Sequence, residues 1–479
     1  MSERFDIAVV GGGPGGYVAA IRAAQLGAKV AIVEKARLGG TCLVWGCIPS
    51  KTLVKSVQVL EEARKAEKFG IEIDVASIRP NMEKMMARKD AVVDQLVGGI
   101  EGLMKQYKIQ VFQGHGTFLR PNLLAVKNGQ PEAQMVEAAN IVIATGSSIA
   151  RIPLPGVDLP GVIDSDKILS LKHIPKSLVI IGGGIIGVEW AGIMSPLGTK
   201  VTIVEALPTI LTAVDEEITK RYLTFLKKQK VDVYVSAKVE AIEKNAQAQD
   251  ESDQLTVRYS TAKGPQSVNA EMVMVAVGRI PYTEGLGLED IGVLMERRRV
   301  ISNERMETNV PHVYAVGDVT QRVMLAHVAS AEGEVAVENI LGHSRLLDYR
   351  AIPNCIFSNP EIAMVGPTEQ ELIAKHIPYR VSKFPFSALG RAVTIDDTQG
   401  LVKLLVTDNA KGELLAAHIM GPDATDLIAE LVLAVQQKLP IAELAHTIHA
   451  HPTLPEAIQE AALNALPGAS AIHFKKTNL

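Results

Sequence analysis

Cysteine is scarce in this sequence: three in 479 residues, at positions 42, 47 and 355. So few cannot form the disulfide framework of a secreted protein. Long apolar runs are missing too. The stretch 177–188 is cut by glycines well before the roughly 20 residues needed to cross a bilayer. Basic charge is not in excess, with 49 Lys and Arg against 53 Asp and Glu, so nothing suggests nucleic acid as a partner. Arg4-Phe5-Asp6 leads straight into a strand, Ile7–Val10, with no signal or transit segment before it; the expected location is cytoplasmic. What remains is the composition of an ordinary enzyme, 47% hydrophobic and 21% charged, with length for about three domains.

Two of the three cysteines lie five positions apart in Gly39-Gly40-Thr41-Cys42-Leu43-Val44-Trp45-Gly46-Cys47-Ile48-Pro49-Ser50-Lys51. A disulfide closing so small a ring restricts the unfolded chain little and is prone to strain, so it reads as a bond made to open and close. In a reducing compartment such a pair is usually catalytic or redox-sensing. Two buried free cysteines, or half of a zinc site, are the other readings. The zinc site lacks further Cys or His nearby in sequence.

The chain opens as strand, glycine turn, helix, strand. Ile7–Val10 precedes Gly11-Gly12-Gly13-Pro14-Gly15-Gly16, Tyr17–Leu26 has helical spacing, and Lys29–Val33 ends in Glu34. This is a dinucleotide fingerprint in context: Gly11 for the tight turn, Gly13 for close approach of a pyrophosphate, Gly16 for helix–strand packing. The helix N-terminus favours the anion, and Glu34 can accept from a ribose. The whole pattern returns in Leu178–Ile181, Gly182-Gly183-Gly184-Ile185-Ile186-Gly187, Val188–Leu197, Lys200–Val204 and Glu205. The interval from first glycine to acid is 23 residues in both copies, so two dinucleotides are expected. Glu205 favours NAD by repelling a 2′-phosphate, and 206–213 holds no Arg or Lys to bind one.

Between and after these copies the pattern predicts helices at 51–68 and 81–106, a strand at 109–113, a hairpin of Leu123–Val126 with Met135–Glu137, and a buried strand within 141–147. Asp318, on a turn after His312–Val316, reads either as a helix N-cap or as an acceptor for a bound polyol. From Leu347 onward, strands 380–384, 401–407 and 414–420 mix with a helix at 424–438, an α+β texture with an antiparallel sheet. Near the end, His446, His449 and His451 precede Glu456. No carboxylate or Cys stands at a metal-ligand spacing with them, and His451 with Glu456 suits an acid–base pair. Cys355 reads as a buried apolar residue.

Together these pieces resemble the two-dinucleotide, flavin-dependent disulfide reductases, over essentially the whole chain and with the motifs in family order. The fold implied is α/β: two Rossmann-like dinucleotide-binding domains plus a C-terminal α+β dimerisation domain. The parts expected are 1–150 (FAD-binding), 151–278 (NAD-binding), 279–347 (completing the FAD site) and 348–479 (interface). By the same resemblance Gly11, Gly13, Gly16, Glu34 and Lys35 would hold the ADP part of FAD. Gly40, Thr41, Cys42, Lys51, Gly116, Thr145, Gly146, Ser147, Asp318 and Ala326 would complete the flavin site. Gly182, Gly184, Gly187, Glu189, Glu205, Val239 and Gly278 would line the NAD site, with Lys51 paired to Glu189. Cys42 would exchange disulfides with substrate, Cys47 would lie against the flavin, and His451, oriented by Glu456, would be the acid–base group serving the other subunit of a homodimer.

Within the family, both cysteines, Ser50, Glu205 and a cysteine-free 470–479 resemble the branch that oxidises protein-bound dihydrolipoyl groups with NAD. The resemblance implies a component of 2-oxoacid dehydrogenase and/or glycine cleavage complexes, with the lipoyl-bearing acyltransferase of the former as partner, no nucleic acid, no metal and no membrane. Val44-Trp45, Pro281-Tyr282 and Ser358-Asn359 depart from the usual pattern, and Trp45 bears on substrate access. Two other readings stand beside this one: a reductase of another disulfide, and a docking subunit whose flavin is structural.

Overall fold

The computed structural model describes residues 4–248, 250–468 and 471–473. Two compact units form: Met1–Ile152 with Asp164–His173 and Gly278–Leu347, and Pro153–Ile163 with Ile174–Val277 and Asp348–Leu479. Apart from 471–473, the cysteine-free tail lies outside the described residues.

The first unit is built on a sheet in the order 110–113, 30–34, 4–10, 134–143, 123–127, 115–120, with Val313–Ala315 also joining 134–143. The strands around Arg4–Val10 and Val30–Glu34 run parallel, with Val9 opposite both Ile32 and Val142. Their apolar runs are continuous because both faces are covered. The hairpin forms, antiparallel, as the spacing predicts. Its second arm, however, is one ten-residue strand with Ile141–Ile143, namely Gln134–Ile143. This strand changes neighbours midway, pairing with Leu123–Lys127 through its first half and with Val313–Ala315 through its last residues. The core beneath gathers Ala8, Val10, Ala31, Val33, Ile141 and Ile143 with Phe118 and Leu288.

In the second unit, strands 232–234, 200–204, 177–181 and 272–275 lie side by side and parallel. A three-stranded antiparallel meander, 238–244, 255–261 and 264–270, follows. The C-terminal sheet runs 354–356, 361–365, 414–421, 401–407, 379–385, all antiparallel. Helices Ala424–Gln436 and Glu456–Ala465 cover it, burying Leu427, Leu431, Ile458 and Ala461 against Val402, Leu404 and Ile419. Cys355 packs against this core only half-buried, rather than fully buried. No helix among the described residues is long and apolar enough to cross a membrane.

Candidate active site

The two glycine turns are built alike. Gly11 and Gly182 hold φ at +106° and +112°, and a Cβ on either would come within 2.3 and 2.4 Å of the Ala144 and Ala276 carbonyl oxygens. A Cβ on Gly16 would stand 1.8 Å from the Gly11 oxygen, and one on Gly187 2.1 Å from that of Gly182. These four glycines are fixed by protein packing. Gly13 and Gly184 differ: nothing lies within 4 Å of where their Cβ would be. Each is the N-cap of its helix, Pro14–Gln25 and Ile185–Met194, and neither supplies a side-chain cap. Open space at a helix N-terminus, where the dipole favours an anion, fits a pyrophosphate in both copies.

The two acids are clamped identically. Glu34 takes the Gly12 N–H at 2.6 Å on one oxygen and the Ala36 N–H at 2.7 Å on the other. Glu205 takes the Gly183 and Leu207 N–H groups at 2.6 and 2.7 Å. Sequence reasoning gave these carboxylates to a ribose alone; each first anchors its own turn and keeps lone pairs for a ribose hydroxyl.

The cysteine stretch is stitched onto the first turn. Gly39 donates its N–H to the Gly12 oxygen at 2.8 Å. Gly40, at φ +54°, comes so near that a Cβ would sit 2.7 Å from the Gly13 Cα. Thr41–Trp45 then makes a π-type turn, and the next helix, Cys47–Arg64, begins at Cys47 itself, not at Lys51 as the spacing suggested. Pro49 does not stop it, because in the first turn a missing N–H costs nothing. Cys47 therefore lies where a helix dipole favours a thiolate.

No disulfide joins the two residues of the expected pair in this structure. They are in contact: a hydrogen bond with Cys47 is the chief reason the Cys42 thiol is pushed well up, followed by burial and by negative charge on Cys47, with Lys51 opposing. The contact thus favours the protonated form of Cys42.

Several other expected residues are held by contacts within the first unit. Thr145 donates its hydroxyl to the Tyr282 carbonyl at 2.6 Å, and Tyr282 donates its N–H to Gly146 at 2.9 Å. Lys35 lies over the Tyr282 ring, 3.5 Å from its centroid. Ser147 donates to Asp318 at 2.5 Å. The N-cap reading of Asp318 falls, since the short helix Gly317–Thr320 is capped at Val316 without a side-chain bond. Gly116 is buried, where a Cβ would press on Val33 at 3.1 Å. Ala326 opens the helix Ala326–Ile340, again without a side-chain cap.

Arg279 was missed. Its guanidinium donates to the Ser147 hydroxyl and carbonyl, both at 2.8 Å, and to the Thr41 hydroxyl at 3.3 Å, so one cation ties Thr41 to the Ser147–Asp318 pair. The signal for it was an Arg beside a glycine of positive φ, Gly278, directly after a buried strand. Gly278 falls in the first unit and accepts the Ala150 N–H at 3.0 Å. Of the other residues read as lining NAD, Val239 lies half-buried opposite Tyr259, and the buried Glu189 accepts the Phe357 N–H at 3.0 Å. Lys51 belongs to the first unit and Glu189 to the second.

His451 and Glu456 do meet. Nδ1 of the ring is 2.8 Å from one carboxylate oxygen, and the Thr453 N–H reaches the other at 2.7 Å. Burial pushes Glu456 up, but the Thr453 N–H and the His451 ring outweigh it and hold the carboxyl below its ordinary range. The His451 side chain is 78% exposed, which leaves Nε2 to exchange protons. His449 instead pairs with Glu430 at 3.1 Å, and His446 ends a short helix. Among the described residues no group of three His, Cys, Asp or Glu is placed to hold a metal ion.

Residues 5–333 match the pyridine nucleotide-disulphide oxidoreductase family, and 352–462 match the dimerisation domain of the same family. The dihydrolipoyl dehydrogenase of Bacillus subtilis is 42% identical, over 99% of this chain and 100% of its own length. That of Geobacillus stearothermophilus is 44% identical, over 96% and 95%. The structure of an HOCl-induced flavoprotein disulfide reductase from Escherichia coli, as its Cu(II) complex, superposes with a TM-score of 0.85 at 27% identity, covering 96% of this chain and 99% of that one.

Proposed function

The chain belongs to the pyridine nucleotide-disulphide oxidoreductases, and from that membership we propose that it is a dihydrolipoyl dehydrogenase. It oxidises a dihydrolipoyl dithiol through the Cys42–Cys47 pair, with FAD as carrier and NAD as final acceptor. The observation that carries this reading is the dithiol itself: two thiols in contact, on a stretch bonded to the first glycine turn.

Gly11, Gly13, Gly16 and Glu34 would hold the ADP part of FAD, and Gly182, Gly184, Gly187 and Glu205 that of NAD. FAD, when bound, supplies the two-electron relay between dithiol and nicotinamide. The chain's own residues do the sulfur chemistry. Nε2 of His451 takes the proton of one dihydrolipoyl thiol while Glu456 steadies the imidazolium through Nδ1. The thiolate attacks Cys42 of the oxidised pair, the Cys42–Cys47 bond breaks, and Cys47 leaves as a thiolate in the first turn of its helix. The second substrate thiol gives its proton to solvent and its sulfur attacks the first, closing the lipoyl disulfide and releasing Cys42, which takes back the proton held on His451. Two electrons have moved from substrate to the enzyme pair. Cys42 ends protonated, the form that its contact with Cys47 favours.

In the proposed homodimer the exposed His451 of one subunit serves the dithiol of its partner, and the lipoyl group arrives on the acyltransferase of a 2-oxoacid dehydrogenase complex or within a glycine cleavage complex. The site of action is the cytoplasm. A docking role alone would leave the thiol contact and the His451–Glu456 pair without use. Initial rates of NADH formation from dihydrolipoamide and from reduced glutathione, side by side, test the substrate: the account expects the first to dominate, and equal rates would overturn it.

A further inference from the structure

Lys403 sits in the middle of the strand Leu401–Thr407, and its side chain is 0% exposed. A buried ammonium costs several kcal/mol unless acceptors meet all its protons, about the effective penalty per ion in a protein interior. Here they do. Nζ reaches both oxygens of Asp215 at 2.8 and 2.9 Å and Glu369 at 2.5 Å, with Glu217 behind at 3.4 Å. Glu217 in turn pairs with Lys383 at 2.8 Å and Arg221 at 3.0 Å, so three acids face three bases. Asp215, itself buried, also accepts the Glu217 N–H at 3.0 Å and the Glu369 N–H at 3.3 Å.

Asp215 ends the loop that begins at Glu205. The near end of that loop lies on the second glycine turn. Glu205 clamps Gly183, Leu211 donates its N–H to the Gly183 oxygen at 2.9 Å, and Ile210 presses a methyl 2.5 Å from where a Gly183 Cβ would be. Leu211 does this at φ +49°, a conformation that a branched residue adopts only when its surroundings impose it. The far end is pinned. Val214 donates back to Leu211 at 2.8 Å, Gln370 donates to the Val214 oxygen at 2.9 Å, and Asp215 is locked by Lys403. The first glycine turn needs no such anchor. There Gly39 makes the equivalent bond to Gly12, and Gly40 packs directly on Gly13. Replacing all the ions of such a cluster by apolar residues of like volume is often neutral or stabilising, so stability alone does not call for it. What the ion cluster adds is a fixed position for Asp215, and through it for Leu211 and Gly183.

We propose that Lys403 is a positioning residue for the pyridine-nucleotide half of the reaction, acting through Asp215 on the 205–215 loop. This rests on the reading of the second glycine turn as the NAD site. A loop in place only a tenth of the time weakens its ligand about tenfold.

The test uses the full FAD-containing protein and ADP-ribose as probe, followed by calorimetry, with steady-state rates alongside. Lys403→Met is expected to weaken ADP-ribose binding and raise the KM for NAD about tenfold or more. The rate at saturating NAD, the KM for dihydrolipoamide and the titratable Cys42–Cys47 thiols should stay as in the unmodified protein. Gln370→Ala, which removes only the ties to Val214 and Glu216, is expected to move the same quantities the same way by less, and it decides the matter if Lys403→Met does not fold. Folded variants that bind ADP-ribose as the unmodified protein does would overturn the role of Lys403. An unmodified protein that binds no ADP-ribose would instead overturn the NAD reading beneath it.

Discussion

Nδ1 of His451 lies 2.8 Å from Glu456, while the second oxygen of that carboxylate is held by the Thr453 N–H. The ring is thereby fixed as the tautomer protonated at Nδ1, with Nε2 as the base. His451→Gln should lower the rate of dihydrolipoamide oxidation about 10²- to 10⁴-fold, the contribution of a positioned acid–base group. Glu456→Gln should lose part of that, because it keeps the shape and removes the charge that steadies the imidazolium. Steady-state rates check both.

The same carboxyl makes a prediction for stability. Its folded value lies below the ordinary 4.5, so its contribution is complete above that pH and is lost as the pH falls through the lower folded value. Thermal melts taken downward through this window should therefore fall more steeply for the unmodified protein than for Glu456→Gln.

Cys42 is held protonated chiefly by its bond with Cys47. Replacing the partner removes that hold. In Cys47→Ala the pH at which Cys42 becomes reactive toward iodoacetamide should move down relative to the reduced unmodified protein. No move would mean that burial, the second cause, governs the thiol instead.

The glycines separate ligand effects from packing effects. Gly16→Ala drives a methyl to 1.8 Å from a backbone oxygen and should destabilise by at least the ~1–3 kcal/mol of an overpacked site. Gly13→Ala meets nothing within 4 Å. It should melt, without FAD, as the unmodified protein does, yet retain FAD poorly, because its methyl enters the space left for the pyrophosphate. Flavin content and melting temperature together check the pair.

Much of this architecture was legible in the chain because its strongest signals are local. A glycine turn, a helix and an acid at a fixed interval need only one βαβ unit to make sense, and both copies form as spaced. What stayed hidden depends on neighbours far along the chain. Gln134–Ile143 read as two strands because its outward residues change character where its partner changes from Leu123–Lys127 to Val313–Ala315. The start of the helix at Cys47 was obscured by Gly46 and Pro49, which look like breakers until the proline is seen in the first turn. Arg279 and Lys403 could not be assigned from spacing, since Thr41 and Asp215 lie 238 and 188 residues away from them. A lone Lys inside Leu401-Val402-Lys403-Leu404-Leu405 was the one hint of a buried charge. His451 with Glu456, only five residues apart, was within reach of the sequence and meets as expected.

The most direct test of the electron path is an anaerobic titration of the oxidised, FAD-containing protein with dihydrolipoamide, read for new thiols and then for NADH once NAD is added. The account predicts new thiols at Cys42 and Cys47, NADH formed as they are reoxidised, and neither in Cys47→Ser. NADH formed by the Cys47→Ser protein at the unmodified rate would contradict it.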